Sequence, residues 1–477
     1  MIEADRSSAA LRKAIAILIL VVLGLKAMFL LLDPTLRLFM GDSASYLHSA
    51  YADWVPGDRS YTYPLFIRLV AMPSLSLTPL LLAQCFLGAC TALLLFRLLQ
   101  QIFELDARVA ALIAIVFAAG PEQLFYERMV MAETIGLFAL SCMLACGLAY
   151  LRKGNAVWLV GMALGGVFAI SYRLSLLPVV LGFALLPPMI RLLVKYPWTK
   201  RCLIVALTNI ALAAFLTAAA HSAYKVWNGY LTRGKDGYAA NAGVLRLALV
   251  LPLVKSEDLY GSGLPDGFLD RLPQGWNDPD ARESALWNGS SVIARMREEL
   301  GDNGMSRAAR KISIRAIRRD PLGLLGLAWH TLGEYFDTTK ARQRLNDDLG
   351  ERAPDAEAAT TLLERFNYDS SGVSKSQTIV RSYFAAAGPW LTACLFGLPV
   401  LGVASLVMGW RTRNAPILLL ALTSLGLFLG HALFSSIVSF RYLHAFPMFI
   451  WLNVGAMTHW VRQQRSGMLA SVNPELG

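Results

Sequence analysis

The sequence predicts an all-α integral membrane protein of about ten transmembrane helices, a count set by the length a bilayer demands. Three observations carry this. The chain is 56% hydrophobic and only 16% charged, whereas soluble domains carry about 25% charge. Several apolar runs reach the roughly 20 residues that cross a bilayer as a helix. The basic residues gather at the ends of those runs, as expected of orientation signals. The net charge of +11 therefore points to membrane topology and anionic headgroups rather than to nucleic acid.

The spans follow in order. Arg6, Arg12 and Lys13 precede an apolar run from Ala14 to Leu32. That run exceeds a signal-peptide core and no small-residue cleavage site follows, so it is expected to be a retained first span with a cytoplasmic N-terminus. The next spans are expected at Pro79–Leu98, Val109–Ala119 and Met131–Tyr150. Ala156–Ser171, Leu174–Ile190 and Cys202–Ala220 come after them. The last three begin near Tyr383, Pro416 and Leu443. Arg97 and Arg108, Arg152 and Lys153, Lys200 and Arg201, Arg411 and Arg413, and Arg462 then all fall on one side, the inner one.

Three parts result. Residues 1–220 form an N-terminal transmembrane module whose outer loops are 33–78 and 120–131. Residues 221–382 turn polar and form a large, mostly helical extracytoplasmic domain, and 383–477 form a C-terminal transmembrane module. Within the middle part, PLGLLGLAWHTLGEYF and GVLRLALVLPLV are apolar but too short to span, so they lie in the interface or pack on the bundle. Six cysteines lie in or beside apolar runs without a C-x-x-C pair. Cys142 and Cys146, four apart on one helix, suit packing better than a disulfide or zinc.

The chemistry-bearing stretch is GDSASYLHSAYADWVPGDRSYTYP, from Gly41 to Pro64. Asp42 stands at a membrane edge, where a carboxylate is costly without water, a partner or a task. Tyr46 and Ala50 follow it at i+4 and i+8, one face of a helix. Asp53, Asp58, Arg59, Tyr61, Tyr63 and Arg68 follow. A second loop holds Glu122, Glu127 and Arg128, and Glu133 opens the next span. Arg173 and Arg441, the latter followed by Tyr442, lie at outer edges. This set suits transfer of a sugar from a polyprenyl phosphate. The leaving phosphate needs cations more than a general acid, the arginine fork matches it, and a carboxylate can take the acceptor's proton.

These stretches resemble the GT-C membrane glycosyltransferases, which include the protein O-mannosyltransferases and the lipid A aminoarabinose transferases. Asp42 with Tyr46 and the closing Tyr61-to-Leu65 segment, YTYPL, resembles their first outer loop. PEQLFYERMVMAE resembles their second, and GGVFAISYRLSLLP and FRYLHAFP their arginine-bearing edges. The resemblance covers most of the membrane portion in order. It implies an inverting hexosyl- or pentosyltransferase of the cell envelope, in a bacterial inner membrane with its site on the outer face. It makes Asp42 the catalytic base and Glu133 the second acid, with Arg173 and Arg441 on the phosphate side. Tyr46, Arg59, Tyr63 and Tyr442 complete the expected substrate contacts. Its partners would be a polyprenyl-phosphate sugar donor, a lipid, glycan or protein acceptor, and membrane lipids. One departure stands out: many members carry an adjacent acidic pair in the first loop, and here Ser43 follows Asp42.

Plainer readings stand beside these. Asp42 could cap a helix starting near Ser43. Glu122 and Glu127 suit solvated loop acids, Arg173 and Arg441 interface anchors, and Tyr61 and Tyr63 an aromatic belt. No residue set marks a metal site, since six histidines include no H-x-x-x-H pair; a divalent metal near Asp42 and His48 stays open. Asn288-Gly-Ser is a glycosylation sequon. The rival functions are a transporter or flippase for a lipid-linked envelope precursor and a non-catalytic envelope-assembly protein. Transporters tend to show internal repeats and midplane charges; here the charges sit at one edge.

Overall fold

The computed structural model describes residues 2–472 except 53, 56, 58, 196–198, 233–236, 240, 288, 289, 351–353, 355 and 373–377. Asp53, Asp58 and the sequon at Asn288 lie outside the described residues. Among the described residues there is no strand, and 20 α-helices alternate with short 3-10 turns.

The first half runs α1 (Ile2–Leu32), α2 (Met40–Tyr51), α3 (Thr62–Val70), α4 (Thr78–Phe103), α5 (Ala107–Ala119) and α6 (Pro121–Tyr126). Then come α7 (Glu133–Lys153), α8 (Val157–Tyr172), α9 (Leu177–Lys195) and α10 (Lys200–Leu231). The second half holds α11 (Ala242–Val250), α12 (Arg282–Trp287), α13 (Val292–Arg319), α14 (Pro321–Glu334) and α15 (Thr338–Asp348). It closes with α16 (Ala356–Phe366), α17 (Thr378–Ala385), α18 (Ala387–Arg411), α19 (Ala415–Phe434) and α20 (Phe446–Val472).

Seven segments are long and apolar enough to cross a membrane, those built on α1, α4, α7, α9, α10, α18 and α19, which marks an integral membrane protein. The other three expected spans are helices of different character. Helices α5 and α8 have 13 and 16 residues, short of the roughly 20 needed. Helix α20 buries Met448, Phe449, Leu452 and Ala456 completely in the bundle.

Local sequence explains where helices start and stop. Asp106 accepts from the Arg108 amide to cap α5, and Asn414 accepts from Ile417 to cap α19. Gly154 ends α7 at φ +72°, a conformation glycine adopts without a Cβ penalty. Pro187, Pro188 and Pro399 lie inside α9 and α18, as membrane helices tolerate. Helix α7 is central, with 72% of its most apolar window buried, against 17% for α10. Helix α7 packs on α4, α8, α9 and α19.

The helix ends meet in two groups: Arg152 at the close of α7 donates to the Gln101 carbonyl near the close of α4, and Arg191 near the close of α9 donates to the Tyr150 carbonyl of α7. One end carries the tight connections between α4 and α5, α7 and α8, and α18 and α19, with Arg108, Lys153 and Arg411 beside them. The other end carries the long ones, 33–77, 120–132, 232–386 and 435–445. Three apolar cores follow. The bundle core is the largest. A second joins α2, α3 and α6 to Phe366, Val380 and Phe384. A third belongs to α11, α12 and α13, with Leu247, Met296 and Met305 at its centre. Within the expected 221–382 stretch this third core runs from Val244 to Ala316, while Leu349, Leu362, Phe366 and Val380 belong to the second core.

The two short apolar segments resolve differently. GVLRLALVLPLV supplies α11 and packs against α13. Helix α14 rests on α19 and leaves Leu322 and Trp329 76% and 77% exposed. The second-loop acids correct an expectation: Glu122 and Glu127 are not solvated but 1% exposed each. Glu127 closes an ion pair with Lys26 of α1. The cause is the apolar run around them, since Leu124, Phe125, Tyr126 and Met129 fold this loop into the second core.

Candidate active site

The site grows from two loops stitched at their backbones. The Arg37 amide donates to the Arg128 carbonyl at 2.9 Å, and the Val130 amide donates to the Arg37 carbonyl at 3.0 Å. Below the stitch, Asp33 pairs with Arg37 at 2.6 Å and Arg128 at 3.3 Å, all three buried. Helix α2 starts from this plate. Ser43 Oγ accepts from the Phe39 amide at 2.7 Å and donates to the Val130 carbonyl at 3.0 Å. Ser43 is fully buried, so a second acid at that position would meet a carbonyl oxygen with no proton to offer. The departure from the two-acid pattern thus has a packing reason.

Ser43 serves the helix start, and Asp42 does not. Helix α2 begins at Met40 with Asp42 in its first turn, and the Asp42 side chain makes no cap bond. That overturns the capping reading. Its carboxylate instead sits between two guanidinium groups: Arg59 Nη2 lies 2.9 Å from Oδ1 and Arg441 Nη1 2.6 Å from Oδ2. Burial would raise the Asp42 pKa, but Arg59 and Arg441 outweigh it and hold the group at about 2.

The surrounding groups hold the arginines. The Arg59 guanidinium lies 4.9 Å over the Tyr46 ring, and Tyr46 packs edge-on against Tyr63 at 4.8 Å. Tyr63 is 1% exposed and donates to Gln84 Oε1 at 2.7 Å. Gln84 Nε2 in turn donates to the Glu127 and Met129 carbonyls. Arg441 lies between the Phe39 ring at 4.5 Å and the Tyr442 ring at 5.0 Å. Its Nε is buried without a partner among the described residues.

Arg173 and Glu133 form a second layer. Arg173 Nη1 donates to the Arg441 carbonyl at 2.8 Å, and Nη2 lies 3.7 Å from Glu133 Oε1. Gly136, one turn into α7, makes room: a Cβ there would stand 2.8 Å from Arg173 Cγ. The expected residues therefore gather at the end of the bundle that carries the long connections. Within this set solvent access centres on Asp42, at 24%, against 17% for Arg441, 15% for Arg59, 8% for Arg173 and 5% for Glu133. Tyr63 lies beneath this surface and supports it.

Two further features carry no mark in the sequence. Asp348, at the end of α15, accepts from the Phe440 amide at 3.2 Å and so holds the turn that carries Arg441. Burial pushes its pKa up to about 7 against the pull of Arg441 and Arg344. Tyr335 takes the Ser439 amide and donates to the Ser439 carbonyl in that same turn, with His431 3.1 Å away. Nothing in NDDLG or LGEYF singles these residues out. His48 is engaged by Tyr51 Oη at 2.8 Å and flanked by Trp54. A second titratable group, Asp280, His330 and Glu334, lies on the surface with the spacing of a metal site. The Lys340 ammonium already bridges two of its members, at 2.8 Å from Asp280 and 3.0 Å from Glu334.

No family model and no curated protein matches the chain. Among solved structures, ArnT from Cupriavidus metallidurans bound to undecaprenyl phosphate is similar over 92% of this chain and 77% of that one, at 14% identity and a TM-score of 0.31. A likeness of that size assigns neither fold nor function.

Proposed function

We propose that this protein is a membrane glycosyltransferase that moves a sugar from a polyprenyl-phosphate donor to an acceptor at the extracytoplasmic face. One observation carries the reading: Asp42, more exposed than Arg59, Arg441, Arg173 or Glu133, lies between Arg59 and Arg441 at the bundle end opposite the tight, basic connections. Basic short connections favour the cytoplasmic side, which leaves the cluster outside.

The chemistry follows from the pairing. A carboxylate whose pKa two cations hold at about 2 is a poor base at neutral pH. A donor phosphate is a stronger lure for the arginine forks than a single carboxylate. Its arrival draws Arg441 and Arg59 off Asp42, and the freed carboxylate regains basicity. The acceptor oxygen then attacks the anomeric carbon and its proton passes to Asp42. The bond from that carbon to the phosphate oxygen breaks with inversion, and the polyprenyl phosphate leaves with its electron pair against the guanidinium groups. Glu133 and the Arg441 carbonyl hold Arg173 beside them.

The test is release of polyprenyl phosphate from polyprenyl-phosphate sugars by purified protein, wild type against Asp42→Asn. Loss of release in a folded variant supports the reading. Equal release removes Asp42 as the base. A transporter finds its best support in the buried Lys26–Glu127 pair, since charges at membrane depth mark transport paths. Both side chains are at most 2% exposed and closed on each other, which favours a structural clasp.

A further inference from the structure

A cleft of about 750 Å³ opens between α9 and α10, a volume typical of a ligand site, and neither Asp42, Arg59 nor Arg441 lines it. One wall is Leu177, Leu181 and Leu185 of α9, four apart and so on one face. The other is a single face of α10, where Ala214, Ala218, His221 and Lys225 follow at helical spacing. From Ala214 to Lys225 that face rises about 16 Å. The cleft is apolar along its length and cationic at its head, where Arg307 and Arg310 of α13 join Lys225. Among the described residues no acid lines it, and these three exposed cations make no ion pair there.

Two polar atoms in the lining are buried without a partner among the described residues. They are His221 Nε2 and Thr217 Oγ1, one and two turns below Lys225. Their side chains belong to residues 7% and 8% exposed. His221 Nδ1 is already bonded to Tyr238 Oη at 2.6 Å. When Tyr238 donates in that bond, Nε2 carries the ring hydrogen and becomes a donor. An orphaned buried donor costs about 1–3 kcal/mol, so a fitting occupant brings acceptors to this depth.

We propose that the cleft is a binding site for an anionic glycerophospholipid. The phosphate lies among Lys225, Arg307 and Arg310. The ester carbonyls, just below the phosphate in such lipids, accept from His221 Nε2 and Thr217 Oγ1. An acyl chain runs down the leucine wall of α9. A prenyl phosphate fits the cationic head but offers no acceptor below it, and would leave both donors orphaned. The site stands on its own lining and does not require the chemistry at Asp42.

Binding to the purified full chain in detergent is measured by native mass spectrometry. The probes are phosphatidylglycerol, diacylglycerol, a polyprenyl monophosphate and inorganic phosphate. The expected order places phosphatidylglycerol at least tenfold tighter than each of the others. Arg307→Ala with Arg310→Ala, both on the exposed face of α13, reduces phosphatidylglycerol binding at least tenfold. Thr217→Val, which keeps the volume, reduces the preference over polyprenyl phosphate several-fold. Equal binding of diacylglycerol, or indifference to the double variant, removes head recognition and overturns the proposal. Tighter binding of polyprenyl phosphate makes the cleft a prenyl seat and overturns the proposal, as does a phosphatidylglycerol-to-polyprenyl-phosphate affinity ratio that Thr217→Val leaves unchanged. Inorganic phosphate binding as tightly as the lipid reduces the site to a free anion site and overturns it as well.

Discussion

Arg441 Nη1 lies 2.6 Å from Asp42 Oδ2, across 399 residues of chain. The contact joins the first turn of α2 to the turn before α20 and decides where the charge of the site sits. Arg59 supplies the same carboxylate with a partner only 17 residues away. The two arginines are therefore not equivalent: one is local, and the other draws the end of the chain onto its beginning.

Asp42→Asn keeps size and most hydrogen bonding but removes the charge. Carrier release should fall about 10²- to 10⁴-fold, the usual contribution of a positioned base. The variant should still elute as a folded monodisperse species in detergent, and a discontinuous assay at several pH values reads the loss.

Asp348 gives a pH signature of the opposite sign to Asp42. Its pKa rises from 3.8 to about 7 through burial, so folding favours its protonated form. The associated stability is complete below about pH 4 and is lost as pH rises through 7. The thermal midpoint in detergent should fall between pH 6 and pH 8, and Asp348→Asn should shrink that fall. Burial also raises Glu122 to about 7, so part of the drop will remain. Asp42, held at about 2, contributes stability above about pH 4 that is lost only in stronger acid.

Gly136→Ala tests how tightly Arg173 is placed. The new methyl would stand 2.8 Å from Arg173 Cγ and 3.0 Å from Cδ. Turnover should drop on the order of 10- to 100-fold, as small misplacements at a reacting centre do. Stability should change little, because alanine favours the helix by about 1 kcal/mol against the contact it creates.

Lys26→Met should cost about 3–5 kcal/mol, since it leaves the Glu127 carboxylate buried alone. Lys26→Met with Glu127→Gln should recover most of that. A double-mutant cycle on thermal unfolding reads the coupling, and an additive outcome would break the clasp reading.

Much of the membrane scaffold is legible in the sequence because apolar length is a strong signal, as at Thr78–Phe103 and Glu133–Lys153. Helices α5 and α8 mark its limit: at 13 and 16 residues they are apolar but fall short of the length that identifies a span by itself. The site residues are legible one at a time, by type and by position at membrane edges. Their pairing is not, since a single sequence holds nothing that links residue 42 to residue 441. Glu122 and Glu127 read as solvated when charge is weighed ahead of the Leu124-Phe125-Tyr126 run between them. The cleft is hidden because the apolar run of the seventh span closes at Ala220, four residues before Tyr224 and five before Lys225, while the helix itself continues to Leu231.

The Asp42–Arg441 contact also has a history within each molecule. Ribosomes add about 5–20 residues per second, so Arg441 is made roughly 20–80 s after Asp42. During that interval Arg59 is the one of the two Asp42 partners already made. Arg59 is then a chaperone written into the chain, one that tends a charge until its final partner is born. Loss of Arg59 should thus show first in the yield of inserted protein. A chain cut before residue 441 should hold most of the scaffold and no completed site.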